Sequence, residues 1–260
     1  MSETAPAAYG LDVGSTAVKL VGLDTDGNAV RQSLEPTEPA LQKQLGRILE
    51  SIQERRDGGP LPLVVTGYGR GLVPGPARRV TEITCHARGI FQLFEREGTL
   101  LDVGGQDSKA VSVGPGGNVL DFLMNDKCAA GTGRFLEYTA SRLNLRVDEI
   151  GPAALQSSGE TPISSTCTVF AESEIVSLIA QGTDLGAILK GLHRSLVQRL
   201  SGMIRAVGFR PPLMLSGGVA RNDAVVNMLS DAFDCKALVP ESPEFTGALG
   251  AALTALEGRP

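Results

Sequence analysis

The 260-residue sequence predicts an α/β protein of two lobes, each built on a β-meander. One β-rich segment recurs at a fixed offset, and each copy is followed by apolar residues at helical spacing. Leu11-Asp12-Val13-Gly14-Ser15-Thr16-Ala17-Val18-Lys19 is echoed ninety positions later by Leu101-Asp102-Val103-Gly104-Gly105-Gln106-Asp107-Ser108-Lys109. The echo runs on through Val21 and Val111 to the turns Gly27-Asn28 and Gly117-Asn118. Glycine, at 32 of 260 residues, is about 12% where roughly 7% is ordinary, as expected of a chain with many special backbone positions.

In chain order, the first meander is followed by Leu41, Leu45, Ile48, Leu49 and Ile52 on one helical face. Leu61 to Thr66 is a short apolar strand closed by Gly67-Tyr68-Gly69, and a helix around Glu82 to Glu97 ends the first lobe. The second meander opens near Gly98. Helices are expected from about Gly133 to Leu143, from about Phe170 to Gln181, and along the stripe Leu185, Ile188, Leu189, Leu192, Leu196, Leu200, Ile204 and Val207. Leu213 to Ser216 reads as a buried strand running into Gly217-Gly218 and then a helix with Val225, Val226, Met228 and Leu229. The last helix carries Gly247, Ala248, Gly250, Ala251 and Ala252, a small-residue face suited to close packing.

Composition narrows the function. With 24 basic and 29 acidic residues the formal charge is −5, and no Lys/Arg-rich run offers a footprint for nucleic acid. The start Met1-Ser2-Glu3-Thr4-Ala5-Pro6 lacks the pattern of an export signal, and no run of about 18 apolar residues would span a membrane, so a cytoplasmic protein is expected. Each repeated segment is an apolar strand ending in Asp, a turn of Gly and small polar residues, and a strand holding Lys. Two such turns facing each other would make a cleft with backbone donors on both walls and a carboxylate at each base, which suits a polyphosphate and Mg²⁺. One turn alone could be a plain hairpin; its repetition in register favours the nucleotide site. Neither a P-loop nor a Rossmann glycine pattern is present.

Four cysteines are too few for a disulfide scaffold. Cys85 lies inside a helix pattern and Cys235 before a strand, as structural thiols do. Cys128 and Cys167 each precede a predicted helix among small and polar residues, where a helix N-terminus would favour thiolate. The residues alone leave two readings open, inert buried thiols or a reactive, metal-binding pair. Two thiolates fall short of the four that a tetrahedral zinc or an iron–sulfur cluster takes, but a two-fold dimer supplies four. His86 and His193 have no partner at motif spacing and read as packing or surface residues.

Taken together, Leu11-Asp12-Val13-Gly14-Ser15-Thr16, Thr66-Gly67-Tyr68-Gly69-Arg70, Glu82-Ile83-Thr84-Cys85-His86-Ala87, Asp102 to Lys109, Asn125-Asp126-Lys127-Cys128-Ala129-Ala130-Gly131-Thr132-Gly133, Cys167 to Glu174 and Ser216-Gly217-Gly218-Val219 resemble the activators of 2-hydroxyacyl-CoA dehydratases and the related ATPase subunits of benzoyl-CoA reductase. The resemblance implies an actin-like fold of the sugar kinase and heat-shock ATPase superfamily, with ATP/ADP and Mg²⁺ in a cleft between lobes 1–97 and 98–245, the first completed by the helix at about 246–260. It implies Gly14, Ser15, Thr16 and Lys19 in one phosphate loop and Gly104 and Gly105 in the other, with Gly131, Gly133, Gly217, Gly218 and Val219 also at the nucleotide. Asp12, Asp102, Gln106 and Asp107 would be catalytic, Asp12 and Asp102 holding Mg²⁺ through water. Cys128 and Cys167 of two subunits would share one [4Fe–4S] cluster. The implied activity is ATP-driven delivery of single electrons from ferredoxin or flavodoxin to a dehydratase or reductase. The alternatives are a sugar-type kinase of the same superfamily without a cluster, a zinc-bridged dimer, and a nucleotide-gated binding protein without redox chemistry.

Overall fold

The apolar run Ala8–Val13 forms β1, buried at every residue, and it turns back through Gly14–Thr16 into β2 (Ala17–Leu23) and then β3 (Ala29–Pro36). A computed structural model of the chain describes residues 5–52, 55–56, 59–164 and 168–258, so Cys167 lies outside the described residues. The chain divides into two units: Met1–Arg96 with Gly114–Val119 and Glu244–Pro260, and Glu97–Val113 with Leu120–Pro243.

In the first unit, α1 (Leu41–Ser51) covers the meander with Leu45 and Ile48, and the two-residue strands β4 (Arg55–Arg56) and β5 (Gly59–Pro60) pair with each other. β6 (Leu63–Thr66) then runs parallel to β1, and β7 (Arg78–Arg79) lies beside it, giving the order β3-β2-β1-β6-β7. Thr81 accepts from the Thr84 amide and starts α2 (Glu82–Phe94). That helix stops short of the expected Glu97 because Glu95 takes the left-handed conformation, φ 52°. α8 (Thr246–Glu257) packs on α2 so closely that a Cβ at Gly89 would overlap the Thr246 carbonyl oxygen and one at Gly250 that of Cys85. The small face expected of the last helix thus lets two backbones touch.

The second unit repeats the plan with β8 (Gly98–Val103), β9 (Ser108–Val113), β10 (Val119–Asn125) and β11 (Leu213–Ser216), in the order β10-β9-β8-β11 with β11 parallel to β8. Its helices are α3 (Gly133–Arg142), α4 (Val147–Gln156), α5 (Thr168–Ala180), α6 (Leu185–Ala206) and α7 (Asp223–Ala232). Leu101, Phe135, Ile150, Leu192, Leu196 and Leu213 meet in its core. The expected helices at 133, 170 and 185 form within two residues of their starts. α4 was not expected: Gly151 and Pro152 break the helical pattern of the sequence, yet Ile150 and Ala154 bury against the core and carry the turn across the proline.

The repeat is literal in the hydrogen bonds. Asp12 lies opposite Lys19 in the β1–β2 ladder, and Asp102 opposite Lys109 in the β8–β9 ladder. The Gly14 amide donates to the Ala17 carbonyl at 3.1 Å and Gly104 to Asp107 at 2.9 Å; farther out, Asp24 donates to Asn28 at 3.0 Å and Gly114 to Asn118 at 2.8 Å. Every partner is displaced by the same ninety positions.

The α2–α8 contact yields the first prediction. Gly250→Val drives a side chain into the Cys85 carbonyl, which only a backbone shift can relieve, so it should cost about 2–3 kcal/mol. A urea midpoint unchanged from the parent chain would show that the two helices separate at little cost.

Candidate functional site

In the second unit the expected residues gather at the carboxyl ends of the parallel pair β8 and β11, where open α/β sheets place ligands. Asp102, one residue before the end of β8, is 3% exposed and accepts from the Ser216 hydroxyl at 2.7 Å. Lys109 is 2% exposed, its ammonium 3.3 Å from Asp102 Oδ2 and 2.8 Å from Asp107 Oδ2. The loop between them leaves Gln106 exposed and Gly104 and Gly105 partly so. Gly133 closes on the loop from the other side: its amide donates to the Gly104 carbonyl at 2.9 Å, and the Arg134 amide to Gly105 at 2.8 Å. Val219 lies near enough to Gly133 that a Cβ there would come within 3.1 Å of its methyl. The Ser108 hydroxyl donates to the Gly131 carbonyl. Gly104, Gly105, Gly131, Gly133, Gly217 and Val219 are therefore brought together, and Gly218 faces open space.

The first unit builds the same corner. Asp12 is 4% exposed, and the Lys19 ammonium stands 3.1 Å from its Oδ2. Lys19 also lies over Gly14, where a Cβ would come 3.0 Å from the ammonium, while Ser15 and Thr16 are half-exposed on the turn. Both aspartates already face a lysine. Inner-sphere metal coordination would have to displace it, so a water-mediated ion suits these carboxylates better.

The repeat extends to residues whose equivalence the sequence reading missed. Thr66 lies opposite Asp12 across the parallel strands, and Ser216 opposite Asp102. Each is followed by a glycine at positive φ, Gly67 at 90° and Gly217 at 81°, and then a short 3₁₀ turn. A Cβ at either would strike the carbonyl of Val13 or Val103, so these turns demand glycine for conformation and for space. The signal was present: both are apolar strands running into a hydroxyl residue and Gly, 150 positions apart.

His193, expected as a packing or surface residue, is a packing residue with a partner that the sequence does not show. It is wholly buried on α6, Nδ1 2.7 Å from the Leu189 carbonyl and Nε2 3.0 Å from Asn222 Nδ2. Asn222 in turn caps α7 by accepting from the Val225 amide at 3.2 Å, so the histidine steadies the end of the Gly217–Asn222 turn. Burial holds its pKa below the usual 6.5.

Cys128 is an exposed free thiol whose amide donates to Asn125 Oδ1 at 3.1 Å, while Asn125 Nδ2 donates to its carbonyl at 2.8 Å. It precedes a three-residue 3₁₀ turn, Ala129–Gly131, and not α3 itself. The expectation of a thiolate at an α-helix N-terminus needs correction here, since the first amides of α3 are directed at Gly104 and Gly105. Cys85 is fully buried, and burial pushes its thiol up to about 11, offset in part by the Thr66 hydroxyl. Cys235 is half-buried against the second core. Among the described residues no group of three or more His, Cys, Asp or Glu could hold a metal ion.

A model of the BadF/BadG/BcrA/BcrD ATPase family matches residues 9–255. The chain belongs to this family. The activator of 2-hydroxyisocaproyl-CoA dehydratase from Clostridioides difficile is 38% identical over 255 residues, 95% of this chain and 94% of that protein. Its solved structure with bound ADPNP superposes with a TM-score of 0.87 over 96% of this chain and 94% of that one. Component A of the Acidaminococcus fermentans (R)-2-hydroxyglutaryl-CoA dehydratase is 36% identical, with a TM-score of 0.86 over 96% and 97% of the two chains. A ROK-family glucokinase from Streptomyces griseus, 14% identical, matches with a TM-score of 0.60 over 96% and 99%, and shares the fold alone. The fold of this ATPase-family chain is actin-like, as the resemblance implied.

Two predictions follow from buried groups. Because burial lowers the His193 pKa, the unfolded chain binds its proton more readily, so stability should fall as pH drops below about 6.5, by up to about 1.4 kcal/mol per unit. His193→Gln should flatten that slope in urea unfolding between pH 5.5 and 7.5; equal slopes would show that other groups carry it. In iodoacetamide labelling at pH 8, Cys128 should react and Cys85, with about a thousandth of its thiol ionised, should wait for denaturant. Peptide mass spectrometry reads both.

Proposed function

We propose that this chain is an ATP-dependent one-electron activator, working as a homodimer in the cytoplasm. The observation that carries the reading is the placement of an exposed thiol beside a phosphate-type loop: Cys128 leads into Gly131 and Gly133, which bond directly to Ser108 and Gly104. A kinase has no use for that thiol. ATP or ADP would be held by Gly14, Ser15, Thr16 and Lys19 and by Gly104, Gly105, Gly131, Gly133, Gly217, Gly218 and Val219. Asp12 and Asp102 would hold Mg²⁺ through water, with Gln106 and Asp107 the catalytic candidates for orienting the attacking water.

Cys128 with Cys167 supplies two thiolates, so two copies of the chain would share one [4Fe–4S] cluster, which supplies one-electron redox chemistry when bound. Exposed apolar side chains on β10, ahead of Cys128 in the chain, and at the start of α5 suit a second copy. Leu120 and Phe122 on β10 are 54% and 50% exposed, and Val169 and Phe170, opening α5, are 64% and 68% exposed. Apolar patches of this kind mark interfaces. Among the described residues no helix is long and apolar enough to cross a membrane. The electron donor would be ferredoxin or flavodoxin. The acceptor would be a 2-hydroxyacyl-CoA dehydratase, the kind of enzyme named for the C. difficile and A. fermentans relatives, or a related reductase.

Anaerobic reconstitution should give about one four-iron cluster per dimer with a reduced-state EPR signal, and Cys128→Ala should lose it while still binding nucleotide. A colourless parent protein that hydrolyses ATP would overturn the cluster and leave the ATPase. Asp102→Asn should lower ATP turnover by about 10²-fold.

A further inference from the structure

α5 is thinly packed. Of its 13 residues only Ala171 and Ile175 are buried, while Val169, Phe170, Val176 and Ile179 are exposed. Its described hydrogen bonds and ion pairs to α3 run through one side chain. The Tyr138 hydroxyl donates to Glu172 Oε2 at 2.6 Å, and Arg142 Nε lies 2.5 Å from Glu172 Oε1. Arg142 Nη2 also donates to the Tyr138 hydroxyl at 3.2 Å, with its guanidinium 5.4 Å from the ring centroid, so the three side chains close a triangle. Beside the triangle the seam between the helices is unfilled. A pocket of about 170 Å³ lies there, lined by Thr139, Leu143, Ile175, Val176 and Ile179 together with the edges of Arg142 and Glu172. Close packing normally locks two helices in one register; here charge-assisted hydrogen bonds hold a seam that apolar contact leaves loose.

The other end of α3 meets the candidate phosphate loop. Its first amides, Gly133 and Arg134, donate to the carbonyls of Gly104 and Gly105. α3 has ten residues and is therefore a rod of about 15 Å, with the loop at its head and Glu172 held by its second half. α5 begins at Thr168, the residue after Cys167. A contiguous physical path thus runs inside one unit from the loop carbonyls through α3 to Glu172 and α5.

We infer that Tyr138, Arg142 and Glu172 form a positioning clamp that carries the state of the Gly104–Asp107 loop to α5. The inference rests on the nucleotide reading above. A phosphate on the loop alters the backbone to which the head of α3 is bonded, α3 moves as a rod, and the clamp draws α5 along a seam with room to slide. None of the three side chains touches nucleotide or metal in this scheme; they act through α5.

Spatial continuity alone does not establish coupling, so the experiment reads coupling directly. Amide hydrogen exchange of residues 168–180 is compared in the full chain with MgADP and with a non-hydrolysable MgATP analogue, while the affinity for each is measured separately with a fluorescent nucleotide. The parent chain should show different α5 exchange in the two states. In Glu172→Gln, and independently in Tyr138→Phe, that difference should shrink at least fivefold with nucleotide affinities unchanged within twofold. A merely structural role would lower the thermal midpoint and leave the nucleotide response intact. An equal response in both variants overturns the clamp, as does a parent chain that binds both nucleotides with α5 silent. A parent chain that binds neither nucleotide overturns the nucleotide reading and the clamp with it, and the separate affinity measurement tells these failures apart. Should Glu172→Gln not fold, Tyr138→Phe, which removes one hydroxyl, decides the matter.

Discussion

The aspartate–lysine pair at the end of each central strand is the constraint around which both units are arranged. Burying Asp102 and Lys109, at 3% and 2% exposure, is tolerable only because each neutralises the other and Asp107 and Ser216 take up further bonding capacity. That pairing fixes the β8–β9 register, which fixes the turn from Gly104 to Asp107, which in turn presents the carbonyls that receive α3. In the first unit the Asp12–Lys19 pair sets the β1–β2 register and the turn after it in the same way. Breaking the Lys109 pair from one side would strand a buried charge, a far larger penalty than the pair's own net stabilisation.

The two units share this corner but differ in what surrounds it. The first is finished by two helices in backbone contact, α2 and α8, with few large side chains between them. Among its described residues the second places five helices around its sheet, and α5 is less closely packed than α6, which buries eleven of its 22 residues. Local stability is therefore uneven within the second unit, high at the buried corner and low at α5.

Much of this was legible in the sequence because repetition made weak signals strong. Asp12-Val13-Gly14 alone is an ordinary hairpin, but with Asp102-Val103-Gly104 ninety residues on it predicted two equivalent corners, and both formed. α4 was hidden because Pro152 and Gly151 carry a strong local signal against helix, which burial of Ile150 and Ala154 overrides. The equivalence of Thr66-Gly67 with Ser216-Gly217 escaped because only two residues of each segment are held by geometry, and one of them by a backbone clash no periodicity reports. The role of Asn222 was out of reach for another reason: it depends on His193, 29 residues away, and on a bond seen only once α6 and α7 are in place. Cys128 was found by composition, yet its helix-terminus rationale failed, since which amides remain free at a helix start is settled by tertiary neighbours.

The close seating of α8 on α2 bears on the order in which the molecule can be assembled as it is made. The first unit draws its last helix from residues 246–257, after the whole of the second unit has been translated. A nascent chain emerging at about 5–20 residues per second therefore completes the later unit before the earlier one, and until α8 arrives Gly89, Cys85 and the outer faces of β1 and β6 have no cover. The first unit must therefore wait with apolar strand uncovered until residues 246–257 are made, so its folding is tied to its most distant segment.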